Sequence, residues 1–239
     1  MSAPDDDRRG AELVSALGAV RARIADSCAA VGRDAQTVTL VAVTKTYPAS
    51  DVATLARLGV TDIGESKDQE ARTKVKELRR LDLRWHLVGR VQTNKARGVV
   101  SYAHAVHSVD RPKLARALAE AAAAAERVEP LDVFVQVSLD GDPERGGAGI
   151  DAVDALAETI AARPQLRLCG VMAIPPLGSD PDVEFARLAE VSQRLRANHP
   201  QATRISAGMS DDLEAAIKNG STHVRVGSAL LGRRGPIFS

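Results

Sequence analysis

The sequence predicts a single (β/α)8 barrel of the TIM type, in which parallel strands alternate with helices around a closed sheet. Three observations favour it. Short β-like runs and longer helical segments alternate from residue 38 onwards, which indicates parallel strands joined by crossover helices. Several β-like runs are apolar nearly throughout, as in strands covered on both faces. Eight units of about 25 residues each fit a compact barrel in a chain of 239 residues. A doubly wound open sheet is the alternative, because the sequence alone does not show closure.

A helix is predicted before the first strand. Residues 11–31 carry apolar side chains at spacings of three and four, which form one amphipathic face. These side chains are Leu13, Leu17, Val20, Ile24 and Cys28. Gly32 follows as a stop signal, whereas residues 1–10 are polar and are expected to be flexible. The prediction is therefore one barrel domain over residues 1–239 with an extra N-terminal helix.

Eight β-like runs define the predicted strands. They are TLVAVTK (39–45), DIGE (62–65), RWHLVG (84–89), AVHSV (105–109), DVFVQVSL (132–139), LRLCGVMAI (166–174), RISAG (204–208) and HVRVGSALL (223–231). Helical segments separate most of them, and the weakest helical pattern is QTNKARGVVSYAH, after the third strand. Because function in barrels lies at the carboxyl ends of the strands, candidate site residues are sought there.

Composition narrows the class of protein. Hydrophobic residues make up 44% of the chain and aromatic residues only 3%, so an aliphatic core is expected. The 32 lysines and arginines balance 31 acidic residues, which gives no general attraction to nucleic acid or to an acidic membrane surface. The two cysteines and five histidines show no disulfide framework and no metal-ligand spacing. Without a secretory signal or a membrane-spanning apolar run, a reduced, cytoplasmic protein is expected.

The first predicted strand ends in a lysine. In LVAVTKTYPAS (40–50), Lys45 follows an apolar run directly. One interpretation is a side chain that reaches solvent or pairs with a carboxylate such as Glu65. The other is an amine that is partly desolvated at an apolar mouth, where a lowered pKa lets it form a Schiff base with an aldehyde. A partner for the lysine is needed to decide between them.

The seventh strand leads into a turn of small residues and then a helix. In ISAGMSDDLEAAIKNG, Ser206, Ala207 and Gly208 keep the backbone small where the chain leaves the barrel. Ser210 is predicted to be the N-cap of the helix. The two aspartates that follow it suit the positive end of the helix dipole.

The eighth unit, HVRVGSALLGRRG, places Arg225 on the same strand face as His223 and Gly227. Gly227 and Ser228 are small residues whose backbone N–H groups can meet an anion, and the arginine pair that follows is expected to be solvated. In barrels, the loops after strands seven and eight commonly form a phosphate site. A phosphate there and an amine after strand one suit one molecule with both a phosphate and an aldehyde. That combination points to pyridoxal 5′-phosphate (PLP).

Several longer motifs resemble those of one family. They are LVAVTKTYPAS, WHLVGRVQTNKAR, VHSVDR, GVMAIPP and GMSDDLEAAIKNGSTHVRVGSALLGRR, spread from about Leu40 to Arg233. They are similar to motifs of the pyridoxal phosphate homeostasis protein family, whose fold resembles the barrel domain of alanine racemase. The last motif is long and specific, and the resemblance covers most of the chain.

The resemblance implies a role for each candidate residue. Lys45 matches the lysine that forms an internal aldimine with PLP, and Arg225 matches the arginine that faces the pyridine nitrogen. The implied phosphate cradle comprises Ser210, Gly227 and Ser228, with Ser206 as a further contact. Ser66 stands where the family usually has asparagine, so a cofactor contact of that asparagine is not carried over.

The resemblance implies a PLP-binding protein of intracellular vitamin B6 homeostasis, with apo PLP enzymes as recipients of the cofactor. A cation at the ring nitrogen disfavours ring protonation and weakens carbanion stabilisation, which fits a carrier. A PLP-dependent amino-acid racemase is the alternative, and a phosphate-sugar barrel enzyme is a third hypothesis. Racemisation needs acid–base groups on both faces of the substrate, and in alanine racemase one is a tyrosine of a separate β domain. The sequence ends at Ser239, so that domain is not expected, and a monomeric, non-catalytic carrier is.

Overall fold

Eight parallel strands form a closed barrel in the computed structural model, which describes residues 3–142 and 145–232. The strands are β1 Thr39–Val43, β2 Asp62–Glu65, β3 Arg84–Leu87, β4 Ala103–Val109, β5 Leu131–Ser138, β6 Leu166–Met172, β7 Arg204–Ser206 and β8 His223–Val226. Each strand pairs with the next in sequence, and β1 pairs with β8 to close the sheet. The predicted barrel is therefore confirmed, and the open-sheet alternative is wrong. A two-residue strand, Ala148–Gly149, pairs with the end of β5.

Helices follow the strands as the alternating pattern predicts. They are α1 Ala3–Ala30, α2 Ala49–Arg57, α3 Asp68–Glu77, α4 Ala96–Val100, α5 Pro112–Ala124, α6 Val153–Ala161, α7 Pro181–Asn198, α8 Leu213–Lys218 and α9 Ser228–Leu231. The weakest predicted helix is the short α4, preceded by a 3₁₀ turn over Thr93–Lys95. Among the described residues, no helix combines the length and the apolar character needed to cross a membrane.

Two element boundaries differ from the sequence-based prediction. Helix α1 begins at Ala3, so a helix stands where residues 3–10 were expected to be flexible. Strand β8 ends at Val226 rather than continuing to residue 231, because Gly227 leaves the strand conformation and α9 follows. The change at β8 matters for the site, since it places a helical turn at the strand end. The arginine pair at positions 233 and 234 lies outside the described residues.

The apolar core lies mainly between the strands and the surrounding helices. The predicted apolar face of α1 packs there with Val224 and Val226, which point outward from β8. The barrel interior holds a small cluster around Phe134, whose ring stacks on His107 with centroids 4.4 Å apart. The ring of His223 lies edge-on to the same phenylalanine at 5.3 Å. Histidines thus occupy interior space that branched aliphatic residues usually fill in such barrels.

Gly170→Ala is expected to lower the free energy of unfolding by about 3 kcal/mol, because positive φ and a backbone clash both oppose a side chain there. Gly170 has φ +149°, and an added Cβ would lie 1.8 Å from the carbonyl oxygen of Arg204 on β7. The control is Gly18→Ala on the exposed side of α1, where an added Cβ meets nothing within 4 Å. This change is expected to stabilise the protein by about 0.5–1 kcal/mol. Urea unfolding measures both, and equal stabilities would contradict the close approach of β6 and β7.

Candidate functional site

Closure of the barrel brings distant parts of the chain to one rim. The pairing of β1 with β8 sets Ala42 beside Val226. The next residues also meet, since the carbonyl oxygen of Val43 is 3.4 Å from where a Cβ on Gly227 would lie. Strand β7, which precedes the Ser210 loop, is the other neighbour of β8. The carboxyl ends of β1, β7 and β8, which carry the site residues predicted from the sequence, therefore lie together.

Lys45 lies in an exposed turn directly after β1. Its neighbour Thr44 is fully buried, whereas Lys45 and Thr46 are exposed. Lys45 is therefore open to solvent, in contrast to the partly desolvated amine considered from the sequence. Glu65, the carboxylate considered as its partner, accepts hydrogen bonds from the Thr44 hydroxyl and from Lys74, each at 2.6 Å. The suggested pairing of Lys45 with Glu65 is thus wrong.

Lys74 on α3 fixes the backbone that carries Lys45. Its buried ammonium donates to the carbonyl oxygen of Thr44 at 2.7 Å and to Glu65 Oε1 at 2.6 Å. It also donates to Glu70 Oε1 at 2.8 Å, and the same oxygen accepts the backbone N–H of Thr46 at 2.5 Å. The residues on both sides of Lys45 are therefore held by one network of charges.

This network stabilises an unusual turn. Thr46 has φ +68°, a conformation that costs a non-glycine residue about 1–3 kcal/mol and persists only where its surroundings enforce it. Burial raises the pKa of the Glu65 carboxyl, while the hydrogen bond from Lys74 opposes that shift. The ammonium thus compensates a buried carboxylate and holds the strained turn at the same time.

Sequence reasoning missed Lys74, which lies in a charged segment that suggests a solvated helix. The available signal is its spacing: Lys74 lies three residues after Ala71 and four after Glu70 on α3. Only Ala71 and Lys74 are buried on that helix. A lysine on the buried face of a helix needs a carboxylate nearby, and Glu65 at the end of β2 supplies it.

Arg225 is buried inside the barrel, on the same strand face as His223, as the alternation predicts. Its Nη1 donates to both the carbonyl oxygen and the hydroxyl of Ser206, each at 2.7 Å, and its Nη2 donates to the carbonyl oxygen of Ala173 at 3.0 Å. Burial lowers the pKa of Arg225 to about 10, an effect that Asp212 opposes. At neutral pH the side chain is therefore a cation with a fixed orientation.

The two candidate serines of the seventh unit have different surroundings. Ser206 is fully buried, and its hydroxyl bonds to His107 at 2.8 Å as well as to Arg225. Ser210 accepts the backbone N–H of Ala229 at 3.1 Å. Its predicted role as an N-cap is wrong, because α8 begins at Leu213 and its N-cap position is Asp212. The Ser210 hydroxyl instead lies against the first turn of α9.

The far end of α9 is also anchored. Arg9 on α1 donates to the carbonyl oxygen of Leu231 at 3.0 Å and forms an ion pair with Asp51 at 2.7 Å. The hydroxyl of Tyr47, two residues after Lys45, donates to the carbonyl oxygen of Gly232 at 2.6 Å. The helix that begins at Ser228 is therefore fixed by the N-terminal helix and by the loop after β1.

The side chains at this rim suit a small phosphorylated ligand. They comprise an accessible primary amine, a buried guanidinium, and a hydroxyl beside the first turn of a helix. These groups are chemically matched to an aldehyde, an aromatic nitrogen and a phosphate, in that order. In the described part of the chain, no group of histidine, cysteine, aspartate or glutamate side chains is arranged to hold a metal ion.

A closed barrel with a lysine after β1 and a buried arginine on β8 defines the class of barrels built like the N-terminal domain of alanine racemase. The family model described as "Alanine racemase, N-terminal domain" matches residues 17–235. A pyridoxal phosphate homeostasis protein of Mycobacterium tuberculosis H37Rv is 47% identical over 243 residues, covering 95% of this chain and 94% of the relative. The protein of the same name from Escherichia coli K12 is 35% identical over 233 residues, covering 93% and 97%. The chain belongs to the pyridoxal phosphate homeostasis protein family.

Solved structures agree with this assignment. PipY of Synechococcus elongatus PCC7942, solved with PLP bound, is 33% identical with a TM-score of 0.78, covering 87% of this chain and 100% of that one. An alanine racemase from Corynebacterium glutamicum has a TM-score of 0.65 at 17% identity, covering 91% of this chain and 62% of that one. The latter likeness shows the shared barrel fold.

Lys74→Met is expected to lower the free energy of unfolding by about 3 kcal/mol, because it leaves the buried carboxylate of Glu65 without its cation. Lys76→Met is the matched control, since Lys76 is exposed on the same helix and a change there is expected to stay within about 0.5 kcal/mol. Urea unfolding at neutral pH compares the two variants with the wild type. Equal effects would mean that the Lys74 network does not stabilise the fold.

Proposed function

We propose that the protein binds PLP at this rim, holds it reversibly as a Schiff base with Lys45, and serves intracellular vitamin B6 balance with little or no catalysis. The observation that carries the proposal is the meeting of the Lys45 turn, the Arg225 guanidinium and the Ser210–α9 contact at one end of the barrel. The names of the relatives and the PLP-bound structure of PipY support it. When bound, PLP supplies an aldehyde that captures amines and a ring that withdraws electrons.

The phosphate group is proposed to bind at the start of α9. Gly227 and Ser228 form the turn from β8 into that helix, where backbone N–H groups point outward and favour an anion. Ser210 adds a hydroxyl that already contacts Ala229 in the same turn. Ser206 is proposed to act behind the cofactor, since its hydroxyl is committed to Arg225 and His107.

The aldehyde is proposed to react with Lys45. The amine stands in an exposed turn whose backbone is fixed by Lys74 and Glu70, so its position is defined while solvent and ligands reach it. An accessible amine suits a protein that loads and releases its cofactor.

We propose apo PLP enzymes in the cytoplasm as recipients and a monomer as the working form. The free and buried thiols of Cys28 and Cys169 fit a reducing compartment.

Arg225 is proposed to face the pyridine nitrogen. A cation at that position disfavours protonation of the ring, and an unprotonated ring stabilises a carbanion less well. Its guanidinium also orients the cofactor, because it is fixed by Ser206 and by the carbonyl oxygen of Ala173. These properties favour holding the cofactor over activating it.

The tyrosines give the racemase alternative little support. Racemisation requires a second acid–base group opposite Lys45, and the sequence contains two tyrosines. Tyr47 donates its hydroxyl hydrogen to the carbonyl oxygen of Gly232. Tyr102 directly precedes β4, which places it at the opposite end of the strands from Lys45. The carrier function is therefore preferred.

Purified protein incubated with PLP is expected to show a visible absorption band, and borohydride is expected to fix the cofactor on the peptide that contains Lys45. Lys45→Ala removes the amine and should abolish both signals. Lys67→Ala is the matched control, because Lys67 is also exposed and also lies two residues past its strand, here β2. Peptide mass spectrometry identifies the modified lysine, and exclusive labelling at another lysine would overturn the assignment.

Incubation of the loaded protein with amino acids in deuterium oxide is expected to give no appreciable exchange of the α-proton, since the cation of Arg225 disfavours a protonated ring and the two tyrosines give little support for a second acid–base group opposite Lys45. Proton NMR of alanine and other amino acids follows the exchange. A parallel incubation with an apo PLP enzyme should restore that enzyme's activity. Fast α-proton exchange would favour the racemase instead.

A further inference from the structure

A continuous chain of hydrogen bonds crosses the barrel interior, from Arg225 to the amino ends of the strands. Ser206 Oγ accepts from Arg225 at 2.7 Å and lies 2.8 Å from His107 Nδ1. His107 Nε2 lies 2.9 Å from His86 Nδ1, and His86 Nε2 lies 2.9 Å from Asp62 Oδ1. We call these five residues the interior chain. Four strands, β2, β3, β4 and β7, contribute its uncharged and anionic members, so the chain depends on the closed barrel.

The end of the interior chain at Asp62 reaches a cavity. This cavity, of about 400 Å³, lies at the amino ends of the strands and is called the floor pocket. Its walls include Asp62, His86, Arg84 and Asp132. The floor pocket is at the opposite end of the barrel from Lys45, so the interior chain links two faces of the molecule.

The charge state of Asp62 fixes the direction of the hydrogen bond at its end of the chain. Burial alone would raise the pKa of Asp62, but hydrogen bonds from His86 and Arg84 lower it below its usual range, so the group is a carboxylate. A carboxylate only accepts hydrogen bonds, so His86 Nε2 carries a hydrogen. Where His86 carries a single hydrogen, its Nδ1 is an acceptor, and His107 Nε2 donates to it.

The remaining links follow from the neutral state of His107. Burial lowers its pKa well below the usual value, and the charged Arg225 together with any protonation of His86, His104 or His223 would lower it further. With a hydrogen on Nε2, Nδ1 of His107 is an acceptor, so the Ser206 hydroxyl donates to it and accepts from Arg225. Every donor therefore points from the cation towards the anion.

This direction has an electrostatic consequence for Arg225. The side chains between the two charges turn the negative ends of their dipoles towards Arg225 and the positive ends towards Asp62. The dipoles of Ser206, His107 and His86 therefore stabilise both charges. Such support matters because a buried guanidinium has lost most of its hydration. The carbonyl oxygens of Ser206 and Ala173 accept hydrogen bonds from two N–H groups of the Arg225 guanidinium. The interior chain adds a connection from the same guanidinium to the negative charge of Asp62.

We propose that His107, acting with His86 and Ser206, is a positioning residue that orients Arg225 and couples it to the negative charge of Asp62 at the barrel floor. The functional part of this inference rests on the proposed binding of PLP with Arg225 at the ring nitrogen. Asp62, which does not touch the proposed cofactor site, then influences the electrostatics of that site through the chain.

The orientation of the interior chain can be tested without any cofactor. Long-range proton–nitrogen NMR of ¹⁵N-histidine-labelled protein at neutral pH is expected to show His86 and His107 as neutral Nε2–H tautomers. Ser206→Ala removes the hydroxyl that donates to His107, so the His107 Nδ1 resonance is expected to move downfield in this variant. A His107 that is protonated at Nδ1, or at both nitrogens, would overturn the proposal.

The coupling to the cofactor site is tested with Asp62→Asn, and Asp132→Asn is the matched control. Asp132 is also buried at the floor pocket, but it bonds Arg167 and Arg204 rather than the interior chain. In the PLP-loaded protein, loss of the Asp62 charge is expected to lower the pH at the midpoint of the visible band's titration. The same change is expected to weaken PLP binding several-fold. Asp132→Asn is expected to leave both close to the wild type.

The outcomes separate the two proposals. Equal shifts in the Asp62 and Asp132 variants would mean a through-space effect of lost charge, and no shift in either would mean no coupling; both results overturn the role of the chain. If wild-type protein forms no visible band with PLP, the proposed function fails, while the tautomer measurement still decides whether the chain exists as described. Thermal unfolding of each variant verifies that folded proteins are compared.

Discussion

The parallel pairing of β1 with β8 is the constraint on which the rest of the structure depends. It places Val41 beside Arg225 and Ala42 beside Val226, so segments from opposite ends of the sequence finish at one rim. The bonds that hold this pair belong to the backbone and do not depend on which side chains follow. The turns beyond the strands can therefore carry reactive and ligand-binding groups without weakening closure, which is the general advantage of barrel loops.

Polar and apolar groups are separated across the barrel wall. The outward side chains of β8, Val224 and Val226, pack with the apolar face of α1, whereas its inward side chains, His223 and Arg225, lie in the interior. Few aromatic residues are available to fill that interior, since they make up 3% of the chain. Histidines pack against Phe134 as flat rings and also bond to one another. The same side chains thus provide packing and a polar connection through the core.

The fold was predictable because strand and helix periodicity is local, and eight repeats of one pattern support each other. Lys45, Arg225 and the small residues at 227 and 228 could be named as candidates because each follows or lies in a recognisable strand. The partners of these residues were not predictable. Lys74 and His107 act through contacts between different strands and helices. The spacing of Lys74 from Ala71 is a weak local signal of burial, but neither residue's neighbourhood identifies its partners. Ser210 was assigned to the nearest helix, whereas its contact is with Ala229 in the next unit.

The anchoring of α9 bears on how the protein is made. Arg9 and Tyr47 are synthesised early, but the carbonyl groups that they bind belong to Leu231 and Gly232, which leave the ribosome late. Closure of the barrel likewise waits for β8. A nascent chain that already displays Lys45 therefore has no completed rim until β8 has been synthesised. Because these contacts join segments far apart in the sequence, the anchoring of α9 is a late event in the folding of this barrel.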